Sequence, residues 1–300
     1  MDGIPEHLNE IISFGLWMRK EGYRESTCYY AVRVLKRLDR RVNILEPEAV
    51  KRFLANSGWS EGGKERVVED LDRFYRYKEI KWTRPRYEAV DVLPHIPKEA
   101  EVNDLVSGLP ALTGTFCMLL KETGCRPGEA WLAEWTHLDV ERNTIIIRAE
   151  KKSRSRELRL TNNLLGRLNL LPKDRKYVFH DGSKEPIKGL GDFTRTFQKQ
   201  RKRLAAKLAN PRLQLISLRT LRHYKGTMEY HRTRDIVHVQ KLLGHRSISN
   251  TLRYVRLINF PDDEYSSKVA KTVKEAQELV EAGFEFVCDV EGYKLFRKRK

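Results

Sequence analysis

The stretch QKLLGHRSISNTLRYV, residues 240–255, holds two side chains able to take part in chemistry. His245 follows an apolar run, and Tyr254 lies nine residues further on, between Arg253 and Arg256. A phenol oxygen is a nucleophile once it has lost its proton, and an imidazole hydrogen-bonds to anionic oxygens. We interpret Tyr254 as a nucleophile for a phosphate that His245 helps to hold, an interpretation that depends on the rest of the chain.

Three arginines elsewhere in the chain are placed to bind the same anion. Arg126 stands where a loop leads into a helix in TGCRPGE, and Arg219 and Arg222 are three residues apart in SLRTLRHY. That separation puts both on one helical face. A guanidinium group suits phosphate because its N–H donors form a fixed fork. Lys151 or Lys152, in a basic turn, adds a flexible ammonium group.

Other routes to phosphodiester chemistry have no machinery in the sequence. The chain contains no Walker loop, no GxGxxG, no HExxH and no carboxylate cluster suited to a pair of magnesium ions. Without a metal, the reaction needs a nucleophile, cationic donors around the nonbridging oxygens and an acid for the departing alkoxide. We therefore expect side chains alone to catalyse it, with no cofactor, no metal and no small-molecule substrate.

The charge balance indicates the partner. The chain carries 58 Lys and Arg against 41 Asp and Glu, a net charge of +17. Such an excess attracts polyanions at long range, so DNA is the expected partner. A membrane is not expected, because no apolar run of about 18 residues exists and the N-terminus lacks the pattern of a signal peptide. The four cysteines form no CxxC pair, which agrees with a reducing cytoplasm. Within it, the positive charge predicts a location on DNA.

Residues 1–82 are expected to form a helical DNA-binding domain. Apolar residues at helical spacing predict four amphipathic helices. Their apolar faces are Leu8, Ile11, Ile12 and Leu16; Cys28, Ala31, Val32, Leu35 and Leu38; Val50, Phe53 and Leu54; and Val67, Leu71, Phe74 and Tyr75. The opposite faces carry lysines and arginines, which are simply solvated on an ordinary helix, but their shared sign favours a surface that faces DNA.

Prolines mark residues 83–96 as a linker, because proline removes an amide donor and opposes helix. A catalytic domain is expected over residues 97–265. Its predicted elements are helices at 101–106, 111–122, 193–208, 218–230 and 236–243 and a β-hairpin at 144–148 and 156–160. The fold class is therefore mostly α with a small β-hairpin or sheet, in two domains: a helical domain and a mixed α/β catalytic domain.

Residues 266–300 are expected to form a separate C-terminal segment. An amphipathic helix is predicted through Val269, Val273, Ala276, Leu279 and Val280, closed by Gly283. A basic hairpin follows, with its turn at Glu291 and Gly292.

Together these motifs resemble those of the tyrosine recombinases, the phage-integrase family, and its archaeal integrases in particular. TGCRPGE matches the first arginine box, EKKSRSRELRL the lysine β-hairpin, LRTLRH the second arginine box, LLGHRSIS the histidine and TLRY the nucleophile. The resemblance implies a two-domain recombinase with a helical core-binding (SAM-like) domain. It also implies double-stranded DNA as the partner and self-association to a tetramer on DNA.

The resemblance further implies a role for each residue. Tyr254 attacks the scissile phosphate, leaving a 3′-phosphotyrosyl bond and a free 5′-hydroxyl. Arg126 and Arg222 bind nonbridging oxygens, and His245 donates to the same phosphate or positions it. Lys151 protonates the departing 5′-oxygen, with Lys152 as the alternative.

The second arginine box departs from the commonest family pattern, which has a histidine three residues before the arginine. Here that position is Arg219, which cannot accept a proton at neutral pH. Arg219 is therefore interpreted as a third cationic group, and deprotonation of Tyr254 is assigned to the surrounding positive charge or to water. Glu129 matches a carboxylate that orients the first box, and His223 is interpreted as a packing or supporting residue.

The predicted function is a site-specific recombinase that cleaves and rejoins DNA by transesterification, independently of metal and ATP. Two alternatives stay open: a type IB topoisomerase, which relaxes supercoils as a monomer, and an accessory DNA-binding protein with a decayed site. The short helical first domain favours recombination, and the six filled positions argue against decay. Tyr265 is the alternative nucleophile.

Overall fold

The computed structural model describes residues 6–88, 94–150, 153–254, 265–290 and 293–299. The chain divides into two compact units, residues 1–92 and 93–300. Helices dominate both units and the strands form two small antiparallel sheets, so the predicted fold class is confirmed. Within the described ranges, no helix combines the length and apolar character needed to cross a membrane.

The first unit is a bundle of four helices. They are α1 (Leu8–Lys20), α2 (Glu25–Asp39), α3 (Pro47–Asn56) and α4 (Glu61–Lys78). α3 begins with a proline in its first turn, and Ser60 caps α4 by accepting a hydrogen bond from the Gly63 amide at 3.3 Å. The apolar faces predicted for α2, α3 and α4 line the core.

The apolar face predicted for α1 is wrong at two of its four positions. Ile12 and Leu16 are exposed, whereas Ile11, Phe14 and Met18 are buried. Apolar residues occur on more than one side of this helix, so periodicity alone leaves its rotation open. Edge-on contact of Phe14 with Phe74, at 5.3 Å between ring centroids, decides the rotation because an aromatic ring buries more area than Ile or Leu.

The second unit contains the remaining elements. Its helices are α5 (Glu99–Gly108), α6 (Ala111–Thr123), α7 (Pro127–Trp131), α8 (Asn162–Asn169), α9 (Pro186–Lys207), α10 (Leu218–Thr233), α11 (Ile236–Leu243), α12 (Ser249–Leu252) and α13 (Val273–Glu281). Its strands are β1 (Leu138–Asp139), β2 (Thr144–Ile147), β3 (Arg156–Arg159), β4 (Tyr265–Ala270), β5 (Glu285–Val290) and β6 (Tyr293–Arg299).

The predicted β-hairpin is confirmed and forms part of a three-stranded sheet in the order β1-β2-β3. β2 and β3 are antiparallel, with Thr144 opposite Arg159 and Ile147 opposite Arg156. Ile145 and Ile147 point into the core of the second unit, as the alternation along a half-buried strand requires. β1 was not predicted, because two residues give no periodic signal.

The helix predicted near the C-terminus begins later than expected. Val269 was assigned to it but lies in β4, opposite Leu295 of β6. Thr272 starts the helix instead, since its hydroxyl accepts a hydrogen bond from the Glu275 amide at 3.2 Å. β6 pairs with both β4 and β5, so the predicted hairpin is present, while its turn at Glu291 and Gly292 lies outside the described residues.

α6 and α10 pack against each other in the core of the second unit. Leu120 of α6 is 0% exposed and lies one turn before Gly124, where the helix ends. We predict that Leu120→Ala lowers the free energy of unfolding by about 2–5 kcal/mol, because the cavity left behind collapses only partly.

Leu170, which is 83% exposed, provides a matched control. Leu170→Ala should change stability by no more than about 0.5 kcal/mol. Urea unfolding of the full chain, followed by circular dichroism, measures both variants. Equal losses would contradict the packing described for α6.

Candidate active site

Arg222 is a buried cation at the centre of the second unit. Ser217 and Thr220 form a capping box that starts α10, and burial of Leu218 and Leu221 turns Arg222 inward, where it is 4% exposed. Its Nη1 donates to the Gly124 carbonyl at 2.6 Å. Its Nη2 donates to the Leu243 carbonyl at 2.9 Å and to His245 Nε2 at 2.8 Å.

Both carbonyls belong to the C-terminal ends of helices. Gly124 caps α6 in a left-handed conformation, and Leu243 is the last residue of α11. Such carbonyls have no partner within their own helix and lie at the negative end of its dipole. The Arg222 guanidinium supplies both donors and charge. Burial, followed by the charge of Arg126, lowers the pKa of Arg222 to about 10, so the group stays cationic at neutral pH.

Glu129 of α7 forms hydrogen bonds with residues of the first arginine box and of the hairpin. Its carboxylate accepts from the Arg126 amide at 2.9 Å, Arg126 Nη1 at 3.0 Å, Arg156 Nη2 at 2.9 Å and Ser153 Oγ at 2.7 Å. Burial raises the pKa of Glu129, but the Arg156 guanidinium and these hydrogen bonds outweigh it and lower the pKa overall. The carboxylate is therefore charged and holds two arginines in place.

The end of the hairpin also contacts the loop that carries His245. Ser153 pairs with His245 in an isolated β-bridge, and the Arg154 amide donates to the Gly244 carbonyl at 3.1 Å. Gly244 has φ of +68°, and a Cβ there would lie 2.9 Å from the Arg154 carbonyl oxygen. The glycine of LLGH is thus required by its backbone conformation and by this close approach.

His245 is a neutral imidazole with both nitrogens engaged. Arginine is only a donor, so His245 Nε2 accepts from Arg222 and its Nδ1 carries the proton that is donated to Thr251 Oγ1 at 2.9 Å. Burial and then the charge of Arg222 lower the pKa of His245 to about 3. In this state His245 positions Arg222.

Tyr254 lies just after α12 and is 2% exposed. Its amide donates to the Thr251 carbonyl at 2.9 Å, and its ring packs on Gly226 of α10 beside Leu243. A Cβ at position 226 would lie 2.9 Å from Tyr254 Cζ, so the phenol approaches α10 where no side chain blocks it. The Tyr254 ring is parallel to that of His245, with centroids 6.3 Å apart.

The phenol oxygen lies in strongly positive surroundings. Burial raises the pKa of Tyr254, while the guanidinium groups of Arg222, Arg253, Arg219 and Arg126 oppose that shift, in this order of effect. Arg219 and Arg253 are exposed. The structure thus brings five of the six predicted residues together: Tyr254, His245, Arg126, Arg219 and Arg222.

The other predicted residues have side chains that the structure does not describe. Lys151 and its alternative Lys152 lie outside the described residues. Tyr265, the alternative nucleophile, begins β4, and its side chain also lies outside the described part of the chain.

Several residues of the site were not predicted from the sequence. Arg156 and Ser153 bind Glu129, Thr251 binds His245, and His223 Nδ1 lies 3.4 Å from Tyr254 Oη. The sequence led only to the interpretation of His223 as a packing or supporting residue. The nearest sequence signal was its position beside Arg222, which places it on a helix already assigned to the site.

The two buried imidazoles should make the protein less stable in acid. The folded-state pKa values of His223 and His245 are about 4 and about 3, below the ordinary value of 6.5. Between pH 6.5 and 4 the unfolded chain therefore binds protons that the folded chain does not. The free energy of unfolding should fall by up to about 1.4 kcal/mol per pH unit for each histidine.

Urea unfolding at pH 7 and pH 5 measures this effect. His245→Asn should be less stable than the original protein at pH 7 and should lose less further stability at pH 5. The same loss on acidification in both proteins would show that His245 is protonated equally in the folded and unfolded states.

Comparisons with known proteins identify the family of the chain. The model of the phage integrase family matches residues 93–259, which is more than half of the chain. No curated protein sequence matches.

Solved structures share the fold. A lambda integrase fragment, solved as a dimer bound to a COC′ core site, is 13% identical, with 85% of this chain and 98% of that chain covered and a TM-score of 0.62. An integrase fragment of the Tn1549 transposon, in complex with transposon right end DNA, is 13% identical over 91% of this chain and 99% of that chain, with a TM-score of 0.60. XerH recombinase bound to its difH substrate is 19% identical, with 70% of this chain and 67% of that chain covered and a TM-score of 0.51. The extent of the family match confirms the resemblance: the chain belongs to the phage integrase family of tyrosine recombinases.

Proposed function

We propose that the protein is a site-specific DNA recombinase that cleaves and rejoins strands through a 3′-phosphotyrosyl intermediate. The observation that carries the proposal is the position of Tyr254 against His245, which is hydrogen-bonded to Arg222 at 2.8 Å. Burial raises the pKa of Tyr254, and the guanidinium groups of Arg222, Arg253, Arg219 and Arg126 oppose that rise. So much like charge around one phenol is unfavourable without an anion. A DNA phosphate is the anion that this arrangement suits.

Each group then has a defined task in strand cleavage. Arg126 and Arg222 bind the nonbridging oxygens, where negative charge grows as Tyr254 attacks phosphorus. His245 and Glu129 keep those two arginines in position through the hydrogen bonds at 2.8 Å and 3.0 Å. Arg219 and Arg253, both exposed, add positive charge on the side open to DNA.

Lys151 is proposed as the acid that protonates the departing 5′-oxygen, with Lys152 as the alternative. Support comes from Ser153, which follows them in the chain and bridges to His245, and from Glu150, whose carbonyl accepts from Ser153 Oγ at 2.8 Å. Rejoining reverses the reaction: a 5′-hydroxyl attacks the phosphotyrosyl bond and releases Tyr254. The covalent bond conserves the energy of the broken linkage, so the proposed cycle requires neither metal nor ATP.

The two compact units correspond in this proposal to a core-binding domain and a catalytic domain. Double-stranded DNA is the partner, in keeping with the net charge of +17, and the location is DNA-associated. The proposed active assembly is a tetramer on two duplexes, like the lambda integrase tetramer solved on a Holliday junction.

Replacement of the nucleophile tests the chemistry directly. The substrate is a library of random-sequence duplexes, each nicked so that the 5′-hydroxyl fragment diffuses away after cleavage. The protein should form a covalent adduct with this DNA that persists in EDTA. Tyr254→Phe should form none, because the attacking oxygen is gone.

Tyr265→Phe is the matched control and should form the adduct at the original rate. Adduct formation by Tyr254→Phe, or its loss in Tyr265→Phe alone, would identify a different nucleophile. Joining of fragments from two different duplexes would distinguish a recombinase from a topoisomerase.

Removal of a phosphate-binding arginine should impair cleavage far more than binding. Arg126→Ala should slow adduct formation by about 100- to 1,000-fold, the usual effect of losing one transition-state donor. Arg142→Ala removes an arginine of the same unit whose side chain is 79% exposed, and should leave the rate unchanged. Quench-flow or gel assays give the rates, and filter binding gives DNA affinity. Equal rates in both variants would exclude Arg126 from the reaction.

A further inference from the structure

We propose that His223 accepts the proton of Tyr254 when the phenol oxygen attacks phosphorus. This inference rests on the proposed function, because it concerns a proton of the same reaction. Arg219, which occupies the place of the usual histidine in the second arginine box, cannot accept a proton at neutral pH. The phenol proton must therefore pass to another acceptor, either water or a side chain next to Tyr254.

Two imidazoles lie next to Tyr254, and their hydrogen bonds separate their roles. Both nitrogens of His245 are occupied, one by Arg222 at 2.8 Å and the other by Thr251 at 2.9 Å. His223 Nδ1 faces the phenol, 3.4 Å from Tyr254 Oη, with ring centroids 5.9 Å apart and planes tilted by 47°. Catalytic hydrogen bonds are often this long before substrate binds and shorten in the complex.

The charges around His223 keep its imidazole neutral before Tyr254 loses its proton. Burial, then Arg219, Arg253 and Arg222 lower the pKa of His223 to about 4. These arginines come from its own helix α10 and from the turn that carries Tyr254. The charge of Arg126, at the start of α7, also acts to lower the pKa of Tyr254. At neutral pH His223 is therefore an imidazole with a free electron pair that can accept the phenol proton.

Binding of DNA is expected to change the pKa of His223 in the direction that favours proton transfer from Tyr254. A phosphate among the arginines cancels part of the positive field, which raises the pKa of His223 and makes proton transfer easier. As Tyr254 Oη bonds to phosphorus, its proton passes to His223 Nδ1 and the bond from phosphorus to the 5′-oxygen breaks. That oxygen leaves as a hydroxyl after it receives a proton from the acid. During rejoining, the 5′-hydroxyl returns its proton to the group that acted as the acid and bonds to phosphorus, while the bond from phosphorus to Tyr254 Oη breaks and the imidazolium returns its proton to that oxygen.

A substrate that needs no acid isolates this proton. The test uses random-sequence nicked duplexes with sulfur in place of the bridging 5′-oxygen at one fixed position, because a thiolate leaves without protonation. The original protein should react at a rate that rises with pH through an inflection between about 4 and 6.5 and is constant above it. A rate that climbs about tenfold per pH unit up to pH 8 would mean that hydroxide removes the proton, and would overturn the proposal without any variant.

His223→Asn supplies the second readout. Asparagine keeps a hydrogen-bond acceptor but not a base, so adduct formation should be slower by about 100- to 10,000-fold at pH 6 and should rise with pH. His231→Asn, which replaces another buried histidine of α10, is the control and should retain the constant rate. Circular dichroism and DNA binding verify that both variants are folded.

The outcomes distinguish this inference from the proposed function. A slower His223→Asn variant whose pH profile is parallel to that of the original protein would assign His223 to packing and leave the recombinase proposal intact. If the His223→Asn variant forms the adduct as fast as the original protein does, the inference about His223 is also rejected, and the recombinase proposal is not affected. If the original protein forms no adduct with this DNA, or if Tyr254→Phe still forms one, both proposals fail together.

Discussion

The site depends on one buried cation that joins the ends of two helices. Arg222 donates to carbonyls at the C-termini of α6 and α11, which are 98 and 21 residues away from it in the chain. Neither helix supplies N–H donors for its own last carbonyls, and each C-terminus carries the negative pole of its helix dipole. A guanidinium group meets both needs at once. The helix that supplies Arg222 also carries Gly226, on which the Tyr254 ring packs, so one helix sets the positions of the cation and the phenol.

The second constraint is the accumulation of like charge. Four arginines influence Tyr254, and within the described residues Glu129 is the carboxylate that binds both Arg126 and Arg156. A single carboxylate neutralises only part of this charge. The folded second unit thus retains an unbalanced positive region, and an anion placed there gains from every guanidinium group together. The fold and the DNA are complementary in this electrostatic sense.

The residues that carry short, local signals could be predicted from the sequence. Tyr254, His245, Arg126, Arg222 and Arg219 stand in compact motifs, and the helices around them follow from apolar periodicity. Contacts between distant positions could not be predicted, such as Arg156 with Glu129 or His223 with Tyr254, which are 27 and 31 residues apart. The rotation predicted for α1 was also wrong, because a helix with apolar residues on several sides is oriented only by what packs against it.

The two roles of Arg222 affect how sequences of relatives should be compared. Its bonds to Gly124 and Leu243 hold the architecture together whether or not any strand is cut. A descendant that had lost all activity would therefore remain under selection to keep an arginine there. The presence of this arginine in an alignment is a mark of the fold. Arg126, whose side chain is 30% exposed and bonds to Glu129 instead of joining the ends of two helices, and Tyr254 itself are better markers of an enzyme that still works.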